Sequence, residues 1–295
     1  MGYKTTSRIE GLGPSADAEL SAQPLYAAPA LDKGLDILEL LSTQEGGLTR
    51  REIADRLGRS VGEIFRMIEC LTRRSYIVQN DDTFSLGLKL FELAHEFPPM
   101  NRLLKEALPR MEALAKEIDQ SCHLSMLSLD RQVVVAQVDT PGGIGFSIKI
   151  GSEIDLVKSA SGRVLLAFRD EAERRRLVAS TGARLTTAEQ SALMMTISKV
   201  ATQGFARMKS IQFSGVEAIS YPILDLQQHA IAALTVPYVT RLDEKARTSV
   251  SDAQLALANI AADLNIALGG SIVSAKGNMR ASNRNSSERP RSRRQ

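Results

Sequence analysis

Residues 48–71 read LTRREIADRLGRSVGEIFRMIECL, and this stretch encodes two short amphipathic helices around which the rest of the chain is arranged. The first helix opens with a capping box, because the Thr49 hydroxyl can accept from the N–H of Glu52 while the Glu52 carboxylate reaches back to the N–H of Thr49. Leu48 and Ile53 occupy the positions of a hydrophobic staple. Ile53, Ala54 and Leu57 share one face, which leaves Arg50, Arg51, Asp55 and Arg56 toward water. Gly58 follows as a residue free to take positive φ, and Ser60 with Glu63 forms a second capping box. One helix therefore stops and another starts almost at once, which is the layout of a helix-turn-helix.

In the second helix Ile64, Met67, Ile68 and Leu71 make the core stripe, so Arg59, Ser60, Gly62, Glu63 and Arg66 are left on the outer face and the N-terminal end. These residues carry the donor and acceptor patterns that read a major groove. Arg59 or Arg66 can fork onto guanine, Glu63 can accept from cytosine N4, Ser60 suits a phosphate, and Gly62 allows close backbone approach. Thr49 and Arg50 at the start of the first helix, and Arg73 and Arg74 after the second, complete the expected DNA-binding set. A mixed-charge surface helix would carry similar residues, but two capping boxes flanking a glycine turn favour the nucleic-acid reading.

With 295 residues and 43% apolar content, the chain is long enough for two domains, each with its own core. No run approaches the ~20 apolar residues of a membrane span, and the opening MGYKTTSRIE lacks the apolar segment of a secretory signal, so a cytoplasmic protein is expected. Cys70 and Cys122 lie far apart in apolar surroundings and read as reduced, buried thiols. The net charge of +3 is misleading, because the tail from Lys276 onward carries +6 and leaves −3 for the remainder. Between Leu48 and Arg74, seven arginines face four acids, and that local excess is what a DNA-facing surface requires.

Residues 1–28 have no periodicity and read as a disordered leader. Leu31, Leu35, Leu38 and Leu41 then recur on one helical face, marking a first helix that ends near Ser42. After the recognition helix, Tyr76 to Gln79 and Thr83 to Leu86 alternate around Asn80-Asp81-Asp82 and read as a hairpin wing, closing a DNA-binding domain over 29–87. Residues 88–98 form an apolar linker helix that Pro98-Pro99 stops; it is expected to pack against its copy in a second subunit, with packing onto its own domain as the alternative. The second domain, 99–273, starts with a helix from Leu103 to Ile118. Strands follow over Cys122 to Leu129, Gln132 to Val138 and Phe146 to Ile150, then helices over Ser161 to Phe168, Glu171 to Ser180 and Thr187 to about Gln203. Further strands cover Phe205 to Met208, Val216 to Leu224 and Ala230 to Tyr238, before a last helix from Leu242 to Leu268. The fold class is α+β around one mostly antiparallel sheet. The arginine-rich tail, 274–295, cannot pack a core and reads either as extra phosphate attraction or as a solubilising extension.

A small-molecule pocket is expected where Ser159, Ala160, Ser161 and Gly162 run into a helix, since its unpaired N–H groups and dipole can receive a carboxylate; simple capping would use the same residues. Catalysis is not expected. His95, His123 and His229 have no metal or triad spacing, and Cys122 and His123 are neighbours on a strand and point to opposite faces. No metal, cofactor or catalytic residue is therefore assigned.

The segments LDKGLDILELL, the stretch from Leu48 through SYI, FSLGLKLFELA, SASGRVLLAF, TQGFA, GVEAISYPILD and AIAALTVPYV, in this order, resemble the IclR family of bacterial transcription regulators from about Ala30 to Gly270. The resemblance implies a winged helix-turn-helix, a linker helix and a GAF-like effector domain that binds a small, often carboxylic, metabolite. It implies dimers, often paired into tetramers, that repress or activate operons by binding double-stranded DNA. By the same resemblance, the pocket takes Ala160, Ser161 and Gly162 together with Met208, Lys209, Ala218, Ser220, Thr235 and Pro237. The chain departs from the family's pattern at Arg163, Met208 to Ile211, Ala218 and Pro237, while Lys209 and Arg163 supply cations for a carboxylate. The alternative function is a metabolite-binding or catalytic GAF-like protein whose N-terminal domain makes protein contacts.

Overall fold

Apolar periodicity sets two cores, and the chain forms two compact units that divide between Ala94 and His95. A computed structural model describes residues 28–143, 145–180, 185–211, 213–240 and 248–270. Apart from Ala28, the expected leader lies outside these residues, as does the basic tail.

The first unit contains α1 (Pro29–Ser42), β1 (Leu48–Thr49), α2 (Arg50–Arg56), α3 (Val61–Arg73), β2 (Ile77–Asn80) and β3 (Thr83–Leu86). Proline in the first turn of α1 gives up an N–H that would be unpaired in any case. Both expected capping boxes form, at Thr49 with Glu52 and at Ser60 with Glu63. Gly58 sits at φ 62°, and the N–H groups of Gly58 and Arg59 return to the carbonyls of Asp55 and Ala54, closing a Schellman turn that frees the chain to start α3. The wing strands pair in antiparallel register from Ile77 with Leu86 to Asn80 with Thr83. β1, absent from the sequence reading, adds Leu48 opposite Phe84 and makes the sheet order β1-β3-β2.

Ile37, Leu41, Leu48, Ile53, Ala54, Ile64, Ile68, Ile77 and Phe84 form the core of this unit. Leu31 and Leu35 are instead 62% and 46% exposed, so the buried face of α1 is rotated from the expected leucine stripe toward Gly34, Ile37 and Leu41. α4 (Lys89–Glu96) follows and buries none of its residues. The linker helix stops at Glu96, just before Pro98 and Pro99, which open the next helix as its first residues.

The second unit consists of α5 (Pro98–Ile118), β4 (Cys122–Ser128), β5 (Arg131–Val138), β6 (Glu153–Ile154), α6 (Ala160–Ala167), α7 (Glu171–Ser180), α8 (Thr187–Gln203), β7 (Ala206–Lys209), β8 (Val216–Leu224), β9 (Ala230–Val239) and α9 (Val250–Leu268). Its strands make one antiparallel sheet in the order β6-β5-β4-β9-β8-β7. One face carries Leu124, Ala136, Ile219, Leu234 and Val236 against the apolar stripes of α5 and α9. The other packs Ala206, Ala230 and Ala233 against Val164, Leu165, Ile197 and Val200 of α6 and α8. Asn265 on α9 is buried and used at both ends, accepting from Leu224 N–H at 2.7 Å and donating to the Pro222 carbonyl at 3.2 Å.

Two expected elements differ. Phe146 to Ile150 is not a strand; the β5 partner is the short β6, with Gln132 opposite Ile154. The last helix begins at Val250, where Ser249 caps it by accepting from Asp252 N–H; part of the expected extension toward Leu242 lies outside the described residues.

Candidate functional site

Two places gather the functional candidates, the start of α3 and a cavity beside α6. On α3 the inward stripe of Ile64 and Ile68 fixes which side faces out, and Val61, Gly62, Glu63, Phe65 and Arg66 are exposed. Arg66 has no hydrogen-bond or ion-pair partner among the described residues, so its guanidinium is available to a ligand. Arg59, by contrast, pairs with Asp36 of α1 at 2.7 Å. Glu63 accepts from the Ser60 N–H at 2.9 Å and its hydroxyl at 3.0 Å, and from Lys33 at 3.1 Å. Those hydrogen bonds, the backbone one first, hold its carboxyl down at about 2.

Arg50 pairs with Glu69 at 3.1 Å and lies over the rings of Phe65 and Phe84, at 5.0 and 5.3 Å from their centroids. Arg74 lies 6.0 Å over Tyr76, Arg73 reaches the Cys70 sulfur at 3.7 Å, and the Thr49 hydroxyl is held by its capping box. Thus Arg50, Arg59 and Glu63 are committed within the unit, whereas Gly62 and Arg66 present freely. The sequence reading missed Val61 and Phe65, each 43% exposed; their signal was apolar character off the Ile64, Met67, Ile68, Leu71 stripe.

In the second unit, a cavity of about 400 Å³ lies between the sheet and the start of α6. Ser159, Ala160, Ser161, Met208, Ala218, Thr235 and Pro237 of the expected set line it. Gly162, Lys209 and Ser220 do not. Gly162 is buried, donates its N–H to Ser159 Oγ at 2.9 Å, and has Leu156 O only 2.0 Å from where a Cβ would stand. Lys209 neighbours Met208 on a strand and so takes the opposite face, beside Glu217. Ser220 is buried, bonded to Thr235 Oγ1 at 2.8 Å. Arg163, the other cation expected to meet a carboxylate, is absent from the lining as well.

The cations found there are Lys149 and Lys158, beside the acids Glu153 and Asp155. Phe146 and Phe213 form an edge-on pair with centroids 4.8 Å apart on the wall. The α6 start is fixed from below by Gln132, fully buried, which donates to Ser125 Oγ and Ser161 Oγ and accepts from Ser159 Oγ. His123 also lines the cavity, and this too was missed. Its signal lay in strand alternation: Cys122 and Leu124 face the α5 and α9 core, so His123 faces the other way. Cys122 donates to the Met111 carbonyl, and burial pushes its thiol up to about 12.

The description "Bacterial transcriptional regulator IclR C-terminal" matches residues 100–262, and "IclR helix-turn-helix domain" matches residues 30–81. The chain belongs to the IclR family of bacterial transcriptional regulators. Among curated IclR-type relatives, the HTH-type transcriptional regulator KdgR of Escherichia coli is 29% identical over 234 residues, covering 76% of this chain and 87% of the relative. An IclR transcriptional regulator from Alicyclobacillus acidocaldarius has the same fold, with a TM-score of 0.64 and 24% identity over 83% of this chain and 100% of that one. An IclR homologue from Microbacterium hydrocarbonoxydans, solved with 4-hydroxybenzoate, gives a TM-score of 0.68 at 20% identity over 81% of this chain and 99% of that one. The protein is thus an IclR-type transcriptional regulator with a DNA-binding helix-turn-helix domain and an effector-type C-terminal domain. Among the described residues, no helix is long and apolar enough to cross a membrane.

Proposed function

We propose that the protein binds a specific operator through α3 and that a small carboxylic acid, held in the cavity beside α6, alters that binding. Residues 29–87 read the DNA, 88–98 connect, and 99–273 hold the acid. The observation that carries this reading is the cavity itself: about 400 Å³ with mainly apolar walls and the start of a helix, its two lysines balanced by two acids, a size near the small end of the roughly 300–1,000 Å³ of small-molecule sites. The 4-hydroxybenzoate bound to the Microbacterium homologue agrees with an acid of that size. The protein acts as a homodimer, because one recognition helix reads only a half-site; the exposed Leu88, Leu90, Leu93 and Phe97 supply apolar surface for a second copy.

Base reading falls to Arg66, with Gly62 for close approach and Val61 and Phe65 against thymine methyl groups. Ser60, Arg73 and Arg74 serve phosphates, while Arg50, Arg59 and Glu63 hold α3 in place. Arg66→Ala is expected to weaken operator binding by ~1 to 3 kcal/mol and leave the circular dichroism spectrum unchanged. Equal discrimination between operator and random DNA in the variant would remove Arg66 from base readout.

The function is tested by a gel-shift titration of operator DNA against salt, with and without each of a set of small organic acids. Affinity should fall steeply with salt, and at least one acid should shift the curve. Ala218→Leu, which puts bulk into the cavity from β8, should abolish the acid's effect and spare DNA binding. A full response in that variant would place the effector elsewhere.

A further inference from the structure

His123 is 2% exposed, and neither of its ring nitrogens has a hydrogen-bond partner among the described residues. A buried imidazole left this way costs free energy unless something in the adjoining space bonds it. That space is the cavity. Cross-strand register places His123 beside Thr235, whose hydroxyl is taken by Ser220, and strand alternation puts His123 on the same face of β4 as Ser125, which is tied through Gln132 to Ser161 at the start of α6. The first N–H groups of α6, on Ala160 and Ser161, have no partner inside the helix, and the Ser159 hydroxyl caps only the third, on Gly162. Two independent sets of donors therefore border the cavity, and Phe146, Phe213, Ile148, Met208 and Val216 supply its apolar walls.

Building on the reading of this cavity as the effector site, we propose that His123 is an effector-binding residue. Its imidazole N–H donates to the carboxylate of a monocarboxylic acid with a compact apolar body, and the start of α6 receives the same carboxylate. Burial pushes the His123 imidazole down to about 4, so it stays neutral and offers one N–H without an opposing charge. Lys149 and Lys158, with Glu153 and Asp155 near them, border the cavity too and are not needed for this contact.

The test uses the full chain, benzoate and hexanoate as acids, and benzamide as a neutral analogue, in calorimetric titrations of the wild type, His123→Phe and His123→Gln. Wild type should bind at least one acid more tightly than benzamide. H123F should lose about tenfold or more in acid affinity and clearly less for benzamide, whose uncharged carbonyl is the weaker acceptor, and H123Q, which keeps an N–H, should recover most of the loss. Unliganded H123F should melt at or above the wild-type temperature, because unpaired buried nitrogens have been replaced by carbon. The chain has three histidines, so 15N-labelled imidazole spectra provide a second measurement: the resonance missing in H123Q should move when the acid is added. Acid binding that is unchanged in H123F, or an unmoved His123 resonance at saturation, overturns the role of His123 alone. A wild type that binds benzamide and refuses both acids, or that binds none of the three, overturns the acid reading and this assignment with it.

Discussion

Gly162→Ala is expected to remove about 3 kcal/mol from the stability of the C-terminal unit, the cost of a backbone collision that rotamer changes cannot relieve. The carbonyl oxygen of Leu156 lies 2.0 Å, its carbon 2.5 Å and its Cα 2.7 Å from the position of the added methyl. None of these atoms is the end of a flexible side chain. To make room, α6 would have to lift from the Leu156 loop, pulling the buried Val164 and Leu165 and the Ser161–Gln132 contact with it. Thermal unfolding should show the change as a fall of roughly 6–12 °C for a unit of this size. An alanine variant that melts within about 1 °C of wild type would mean that the loop moves freely. The glycine in the SASG segment is thus required by the approach of one backbone to another, and its part in the effector site is indirect.

Acidification is expected to destabilise the unliganded protein progressively, and the earliest loss belongs to His123. Its pKa lies at about 4 in the folded chain against an ordinary 6.5, through burial. The folded state therefore binds fewer protons than the unfolded state below pH 6.5, so this stabilisation is complete above that pH and is lost as pH falls to about 4. The interval corresponds to roughly 3 kcal/mol. Glu63, held at about 2 by its hydrogen bonds to Ser60 and Lys33, loses its contribution later, between its ordinary 4.5 and about 2. Urea denaturation at pH 7.0, 5.5 and 4.5 measures the earliest loss. H123F should flatten that limb, and a limb of unchanged steepness in the variant would assign it to other groups.

Much of this architecture was legible because it is written in local rules. Thr49 with Glu52 and Ser60 with Glu63 each announce a helix start within four residues, and both capping boxes form. The misreadings share a different physics. Phe146 to Ile150 alternates like a strand, but a strand exists only where a neighbour pairs with it, and β5 gives its free edge to Glu153–Ile154. Leu31 and Leu35 are apolar at helical spacing, yet which face of α1 turns inward is settled by where α3 packs. The Arg59–Asp36 pair spans 23 positions, a distance over which no local pattern carries information. For the cavity, segment-level reading found Met208 and also chose its neighbour Lys209, whose side chain a two-residue repeat sends to the other face.

Lys33 and Asp36 on α1 grip Glu63 and Arg59 at the start of the recognition helix, one pair on either side of Ser60. Ile37 and Leu41 seat the same two helices on Ile64 and Ile68. Tilting α3 by itself would break both ionic clasps and open the small core beneath them. The proposed effector consequently has no cheap way to deform the reading head. In the proposed homodimer an effector therefore moves each head as a rigid piece, and the span between the two half-sites on the DNA is the quantity it would regulate.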